Sequence, residues 1–343
     1  MRALIDKLKE QQNLTDEEFL RLITTNTEDE YLRDCADLVR RERYGDKVYL
    51  RGLIEISNYC KNDCFYCGIR CSNKNAERYR LTKDEILACC ESGYKLGFRT
   101  FVMQGGEDAH FSDSVMCDII SQIKKKYPEC AVTLSLGERS FESYKEMFDA
   151  GADRYLLRHE TAEDELYKKL HPEKMSLENR KKCLFDLKKI GYQVGSGFMV
   201  GAPFQTHENL VADFKFLKEL SPDMIGIGPY ITHKETPFSH YKSGDLNMTL
   251  KMVAIARLMF PYALIPATTA LGTIDKNGRK MGLKSGANVV MPNLSPVKSR
   301  KLYDLYDNKI STDEEAAEGL LKLKKQIEDS GYTVSMERGD VRK

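Results

Sequence analysis

Three cysteines stand close together in the run Cys60-Lys-Asn-Asp-Cys64-Phe-Tyr-Cys67. Thiolates are the usual ligands of iron–sulfur clusters, and a closed [4Fe–4S] site takes four of them. Three protein ligands leave one iron open to a cofactor or a substrate. A structural zinc site competes for the same residues, but it needs a fourth ligand and usually draws on two C-x-x-C pairs. Cys71 is close enough in the chain to be considered for that place. The ten cysteines lie at 35, 60, 64, 67, 71, 89, 90, 117, 130 and 183, with none beyond. Nothing marks the chain as secreted, so reduced thiols or metal ligands are expected rather than disulfides. Cys71 otherwise reads as a loop thiol, and Cys89 and Cys90 as helix packing.

The triplet follows the first of eight β-prone runs, which alternate with helix-period segments. The runs are Val48–Ser57, Thr100–Gln104, Ala131–Leu136, Arg154–His159, Val194–Val200, Met224–Tyr230, Leu264–Thr269 and Ala287–Met291. The clearest helices between them are Thr82–Leu96, Phe141–Ala150, Leu177–Ile190 and Leu210–Leu220. Gly97, Gly151, Gly191 and Gly286 stand where a helix should end before the next strand. Eight alternating units predict an α/β fold with a parallel sheet, closed as a (β/α)8 TIM barrel. An open doubly wound sheet is the alternative. The barrel is preferred because the polar motifs follow several successive strands, whose ends converge at one mouth of a barrel. Residues 1–46 read as N-terminal helices placed to close one end, with a capping box at Thr15 and Glu18. Residues 47–310 read as the barrel, and residues 311–343 as a helix over Thr312–Ser330 with a polar tail. No linker rich in Pro, Gly or Ser divides the 343 residues, so a single domain is expected.

Charge and hydropathy exclude several functions. With 53 basic and 52 acidic residues the net charge is +1, which argues against nucleic-acid or anionic-membrane binding. No apolar run approaches the ~20 residues of a membrane span, and the charged N-terminus lacks the apolar core of a signal peptide. A cytoplasmic location is expected.

The cysteine spacing, with aromatic Tyr66 before the last thiol, resembles the radical S-adenosylmethionine (SAM) superfamily. There the open iron chelates the amino and carboxylate groups of SAM, and an electron cleaves SAM to methionine and a 5′-deoxyadenosyl radical. The resemblance narrows to the [FeFe]-hydrogenase maturase HydE family, from the N-terminal helices to about Tyr306. It is carried by Ile56–Cys60, Gln104-Gly105-Gly106-Glu107-Asp108, Thr133-Leu134-Ser135-Leu136-Gly137-Glu138 and Arg154-Tyr155-Leu156-Leu157-Arg158-His159-Glu160-Thr161. Gly226–Pro229, Ile265-Pro266-Ala267-Thr268-Thr269-Ala270 and Gly286–Asn293 extend it.

The resemblance implies an enzyme with one [4Fe–4S] cluster on Cys60, Cys64 and Cys67. It places Gln104, Gly106, Glu107, Asp108, Ser135, Glu138, Arg158, Glu160 and Arg180 around SAM. The Gly-Gly-Glu-Asp element would meet the methionyl amine, since two glycines let backbone approach a ligand closely. Glu160 would bind the ribose hydroxyls, and Arg180 the carboxylate through a guanidinium fork. His159, Met224, Thr268, Thr269, Met291 and Tyr306 would line the substrate cavity. By residue type alone, Glu138 with Glu160 suits a glycosidase pair, Arg180 suits a helix surface, and the methionines suit packing. The implied substrate is an iron–cysteine complex with carbonyl and cyanide ligands, supplied by another maturase. The radical attacks its sulfur and the cysteine C–S bond breaks. A reductant such as ferredoxin or flavodoxin is implied.

One departure concerns the C-terminal cysteine group with which many members bind a second cluster: this chain has no cysteine there, so no second cluster is expected. Three alternatives stand beside this reading. A methylornithine synthase or biotin synthase would share the barrel, though biotin synthase needs more cysteines on the strands. A zinc-binding structural protein would keep the triplet without the chemistry. A scaffold would carry a cluster without cleaving SAM.

Overall fold

The computed structural model describes residues 1–310 and 316–341. Three helices come first: α1 (Arg2–Gln11), α2 (Asp16–Thr24) and α3 (Asp29–Tyr44). Thr15 and Glu18 form the capping box that starts α2. Strands β1 (Lys47–Leu50) and β2 (Gly52–Ser57) then make the first stave of the barrel. Alternation follows: α4 (Lys83–Lys95), β3 (Thr100–Gly105), α5 (Asp113–Lys126), β4 (Ala131–Ser135), α6 (Phe141–Asp149) and β5 (Arg154–Leu156). Next come α7 (Asp164–Leu170), α8 (Leu177–Ile190), β6 (Gln193–Ser196), β7 (Met199–Val200), α9 (His207–Leu220), β8 (Met224–Ile225) and β9 (Gly228–Pro229). The chain continues through α10 (Leu246–Met259), α11 (Thr269–Ile274), α12 (Gly278–Lys284), β10 (Val289–Val290), α13 (Val297–Arg300), α14 (Ala316–Glu328) and β11 (Thr333–Ser335). Gly97, Gly151, Gly191 and Gly286 all carry the positive φ foreseen after their helices.

Strands β2, β3, β4, β5, β6 and β8 lie side by side and parallel. Met224 bridges to Leu264, Pro266 to Val289, and β10 pairs with β1. Leu53 of β2 also bridges to Asn293, so the eight staves close as a (β/α)8 barrel. The seventh stave is not the regular strand expected over Leu264–Thr269. Pro266 lacks an N–H for the ladder, and Thr268 turns the chain by capping α11, so only single bridges form.

The N-terminal helices do not close an end of the barrel. Helices α1 and α3 pack on α10, and α2 packs on α9, so they cover the outer wall. Helix α10 is consequently buried around nearly its whole circumference. The floor, at the N-terminal ends of the strands, is closed instead by residues after α14. The expected polar tail contains β11, which pairs in parallel with β1. Beyond it Arg154 donates to the carbonyls of Arg338 and Gly339 and to Asp340. The Thr312–Glu315 start of the expected C-terminal helix lies outside the described residues, and α14 accounts for most of the remainder. Among the described residues no helix is long and apolar enough to cross a membrane.

Candidate active site

The loop after β2 carries the three cysteines at the C-terminal mouth of the barrel, where the loops of such folds place their chemistry. Its shape is held by one guanidinium: Arg78 donates to the carbonyls of Asn58, Ile69, Arg70 and Asn73. Phe65 N–H donates to Leu170 carbonyl at 3.0 Å, and Gly68 N–H to Leu305 carbonyl at 2.9 Å. Gly106 lies flat against this loop. A Cβ there would sit 2.2 Å from the Tyr59 oxygen and 2.8 Å from the Cys60 Cβ, so only glycine fits. The next residue, Glu107, donates its N–H to Cys60 Sγ at 3.4 Å.

Burial raises the Cys60 and Cys64 thiols, and burial together with Cys60 pushes Cys67 up to about 12. Alone these groups are thiols; a positively charged metal group would hold them as thiolates. Tetrahedral zinc at 2.3 Å from each sulfur would bring the sulfurs to about 3.8 Å from one another. Among the described residues the only His, Cys, Asp or Glu group with ligand atoms all within 4.8 Å is His233, Asp304 and Asp307. The three cysteine sulfurs are not among such groups, and three thiols on one loop are a donor set that suits an iron–sulfur cluster with one open iron. At the acidic group, His233 Nδ1 accepts the Glu235 N–H at 3.0 Å, which leaves the Nε2 proton facing Asp304 at 3.2 Å. That is a hydrogen-bonded corner.

Around the mouth the foreseen residues divide. Asp108 is spent on structure: Arg80 grips it at 2.7 and 2.9 Å, and the Ser57 hydroxyl and His110 N–H also donate to it. Burial alone would raise its pKa, but these donors lower it. Glu107 accepts the Glu138 N–H at 3.0 Å and pairs with Lys61 at 3.1 Å. Glu138 in turn accepts from Asn179 and, over a very short contact, from Arg180 Nε. Arg180 Nη1 donates to the Arg158 carbonyl at 2.7 Å, which leaves Nη2 for a ligand. Gln104 donates to the Tyr303 hydroxyl at 3.3 Å, and Ser135 stands beside it in register. Arg158 and Glu160 are the exception. Their Nη2 and Oε2 approach to 3.0 Å, yet neither atom, nor Arg158 Nε, has a hydrogen-bond partner though all are buried. Beyond that ion pair these buried atoms make no hydrogen bond, which leaves them capacity for a polar ligand.

Below the mouth, Met224 and Met291 line a mostly apolar lumen with Val102, Leu156 and Leu264. Thr268 uses its oxygen to cap α11, and Thr269 accepts from Arg279 at 3.4 Å. Tyr306 is half-buried close to Glu55, Arg279 and Arg158, and desolvation raises its pKa. His159 does not line this cavity. Strand alternation turns Leu156 and Arg158 inward and His159 outward, where its ring packs on Phe198 and Phe216 in the helix layer.

Two groups were not foreseen. Lys309 pairs with Glu55 at 2.6 Å, both side chains nearly fully buried, and pins the segment before residue 310 over the mouth. On α7, Tyr167 is fully buried, and its hydroxyl lies near Arg180, Glu138, Cys64 and Glu160 without a partner. Its ring stacks on His171 at 3.9 Å, and His171 Nε2 faces the Tyr66 hydroxyl at 3.1 Å. A tyrosine on an amphipathic helix reads as packing, and no spacing signal sets Tyr167 apart.

A three-thiol loop at the mouth of a closed (β/α)8 barrel defines a radical SAM protein. The Radical SAM superfamily model matches residues 54–217. The chain is 46% identical over 329 residues to the [FeFe] hydrogenase maturase subunit HydE of Thermotoga maritima, covering 95% of this chain and 93% of that one. It is 29% identical to the 3-methylornithine synthase of Methanosarcina acetivorans, over 87% and 86% of the two chains. The crystal structure of methylornithine synthase (PylB) superposes with a TM-score of 0.86 at 27% identity, covering 97% of each chain. The chain is a radical SAM enzyme and belongs to the HydE family.

Proposed function

We propose that this enzyme is a hydrogenase maturase with a single [4Fe–4S] cluster on Cys60, Cys64 and Cys67. The observation that carries the reading is the full-length likeness to a protein of that role. When bound, the cluster supplies the electron that cleaves SAM to methionine and a 5′-deoxyadenosyl radical. The chain's own residues bind, orient and shield. Gly106 brings backbone close beside Cys60, where the methionyl amine of SAM can be met. Arg180 Nη2 and the Tyr167 hydroxyl face its carboxylate, and Glu160 its ribose. Glu107 and Glu138 hold this rim together through each other and Arg180, with Gln104 and Ser135 at the adjoining strand ends. Asp108 acts from behind, by tying the glycine element to Ser57 and Arg80.

The substrate is an iron–cysteine complex with carbonyl and cyanide ligands, received from another maturase. Arg158, Thr268, Thr269 and Tyr306 meet its polar groups, and Met224 and Met291 exclude water beneath it. A ferredoxin or flavodoxin supplies the electron, and the setting is the cytoplasm. No cysteine follows Cys183, and no second cluster is proposed. A maturation mixture lacking only its HydE-type component tests the reading. Adding this protein, reconstituted without oxygen, should restore hydrogen production by the apo-hydrogenase. A mixture that stays inactive, with 3-methylornithine formed in a parallel assay, would assign the chain to the other activity.

A further inference from the structure

Behind the mouth, on the side facing the helix layer, lies a polar pair that the reaction does not touch. His159 and Asp213 of α9 are both fully buried, with His159 Nε2 and Asp213 Oδ1 3.3 Å apart. His159 Nδ1 meets the Ser196 hydroxyl at 2.9 Å. Asp213 Oδ1 also accepts the Ala162 N–H at 2.6 Å. Asp213 Oδ2 has no partner, and the surroundings are the rings of Phe198 and Phe216. An apolar side chain would fill this space at lower cost, because buried polar groups lose their hydration. What polar groups add is direction.

The direction falls on one turn. Glu160, between the two positions that Asp213 contacts, has φ +66°, a left-handed conformation that a non-glycine residue adopts only when its surroundings hold it. Its N–H donates to Gly197 carbonyl at 3.1 Å and its carbonyl accepts from Met199 N–H at 3.2 Å. Lys181 Nζ caps the Ala162 carbonyl at 3.0 Å. The turn therefore hangs between the ends of β5 and β6 and the inner face of α9. It carries Arg158 and Glu160, which pair with each other at 3.0 Å and make no further hydrogen bond at Arg158 Nε, Arg158 Nη2 or Glu160 Oε2.

We propose that Asp213 is a positioning residue for the binding mouth: through the His159 ring and the Ala162 N–H it holds the left-handed turn that aims Arg158 and Glu160 at the ligand. Burial drives both groups toward their neutral forms, raising the carboxyl and lowering the imidazole to about 3. With the Ser196 hydroxyl donating to Nδ1, the neutral ring turns its Nε2–H toward Asp213 Oδ1, the same oxygen that accepts the Ala162 N–H. A carboxamide can reproduce both contacts through its single oxygen, which takes the place of Oδ1 in accepting the Ala162 N–H and facing Nε2. This inference rests on the reading that Glu160 and Arg158 bind SAM and substrate.

The test uses the reconstituted holoenzyme under anaerobic conditions and compares wild type, Asp213→Leu and Asp213→Asn. Dissociation constants for SAM come from calorimetry, and amide hydrogen exchange is followed over residues 158–162. Iron content and the melting transition report folding separately. The expected result is SAM affinity at least ~10-fold weaker in Asp213→Leu, with faster exchange confined to the turn and cluster content retained. Asp213→Asn should restore both readouts to near wild type. A leucine variant that binds SAM like wild type would overturn the inference, as would an asparagine variant as weak as the leucine one. Failure of the wild type itself to bind SAM would overturn the underlying site reading and this inference with it.

Discussion

Arg154 and Arg158 lie on one stave, point to the same inner face, and stand at its opposite ends. At the floor, Arg154 uses every nitrogen: Nε on Gln193, Nη1 on Thr100, and Nη2 on Arg338, Gly339 and Asp340. At the mouth, Arg158 has two nitrogens without a hydrogen-bond partner. Both are the same residue in the same barrel, so the difference lies in what the chain returns to meet. The C-terminal segment brings Arg154 its partners at the floor, whereas at the mouth Arg158 pairs with its near neighbour Glu160. A guanidinium bonded at every nitrogen is therefore a mark of assembly here, and one that meets a neighbouring carboxylate with nitrogens to spare is a mark of room for a ligand.

The comparison can be broken by removing each arginine in turn. Arg154→Leu strips partners from Asp340 and two carbonyls and should cost about 3 kcal/mol of stability, with SAM affinity unchanged in whatever remains folded; chemical denaturation measures it. Arg158→Leu should do the reverse, lowering turnover roughly a hundredfold with little change in the unfolding midpoint. Equal stability losses at both positions would erase the distinction. Tyr167→Phe sharpens it, since the variant removes only an oxygen without a partner. SAM affinity should fall about tenfold while stability holds or improves.

The smallest effect concerns acid. Burial would raise the Asp340 carboxyl, but hydrogen bonds from Gln193 and Arg154 bring it down to about 2. A depressed folded pKa contributes stability above the ordinary carboxylate range, lost as pH falls toward about 2. The group is nearly half exposed, so screening should keep this below ~1 kcal/mol. The check is the unfolding midpoint of wild type against Asp340→Asn from pH 5 to pH 2.5, with convergence expected at the acid end.

Much of the mouth was legible because its parts are local. The cysteine triplet, the Gly-Gly-Glu-Asp element and the alternation of strand and helix are all short-range patterns, and glycines mark where helices stop. The floor was not legible, because Arg154 and Asp340 are 186 residues apart and each alone looks like surface charge. Pro266 hid an irregular seventh stave inside a run that reads as β-prone. His159 was drawn toward the cavity by its neighbours Arg158 and Glu160, although strand alternation sends it the other way. Asp108 looks like a cofactor ligand in the sequence because Arg80, which consumes it, lies on a separate loop.

The most direct measurement is the release of 5′-deoxyadenosine by protein reconstituted anaerobically with iron and sulfide, then mixed with SAM and dithionite. Wild type should form it and Cys64→Ala should form none, with both proteins folded. A colourless wild type that retains zinc and leaves SAM intact would contradict the account.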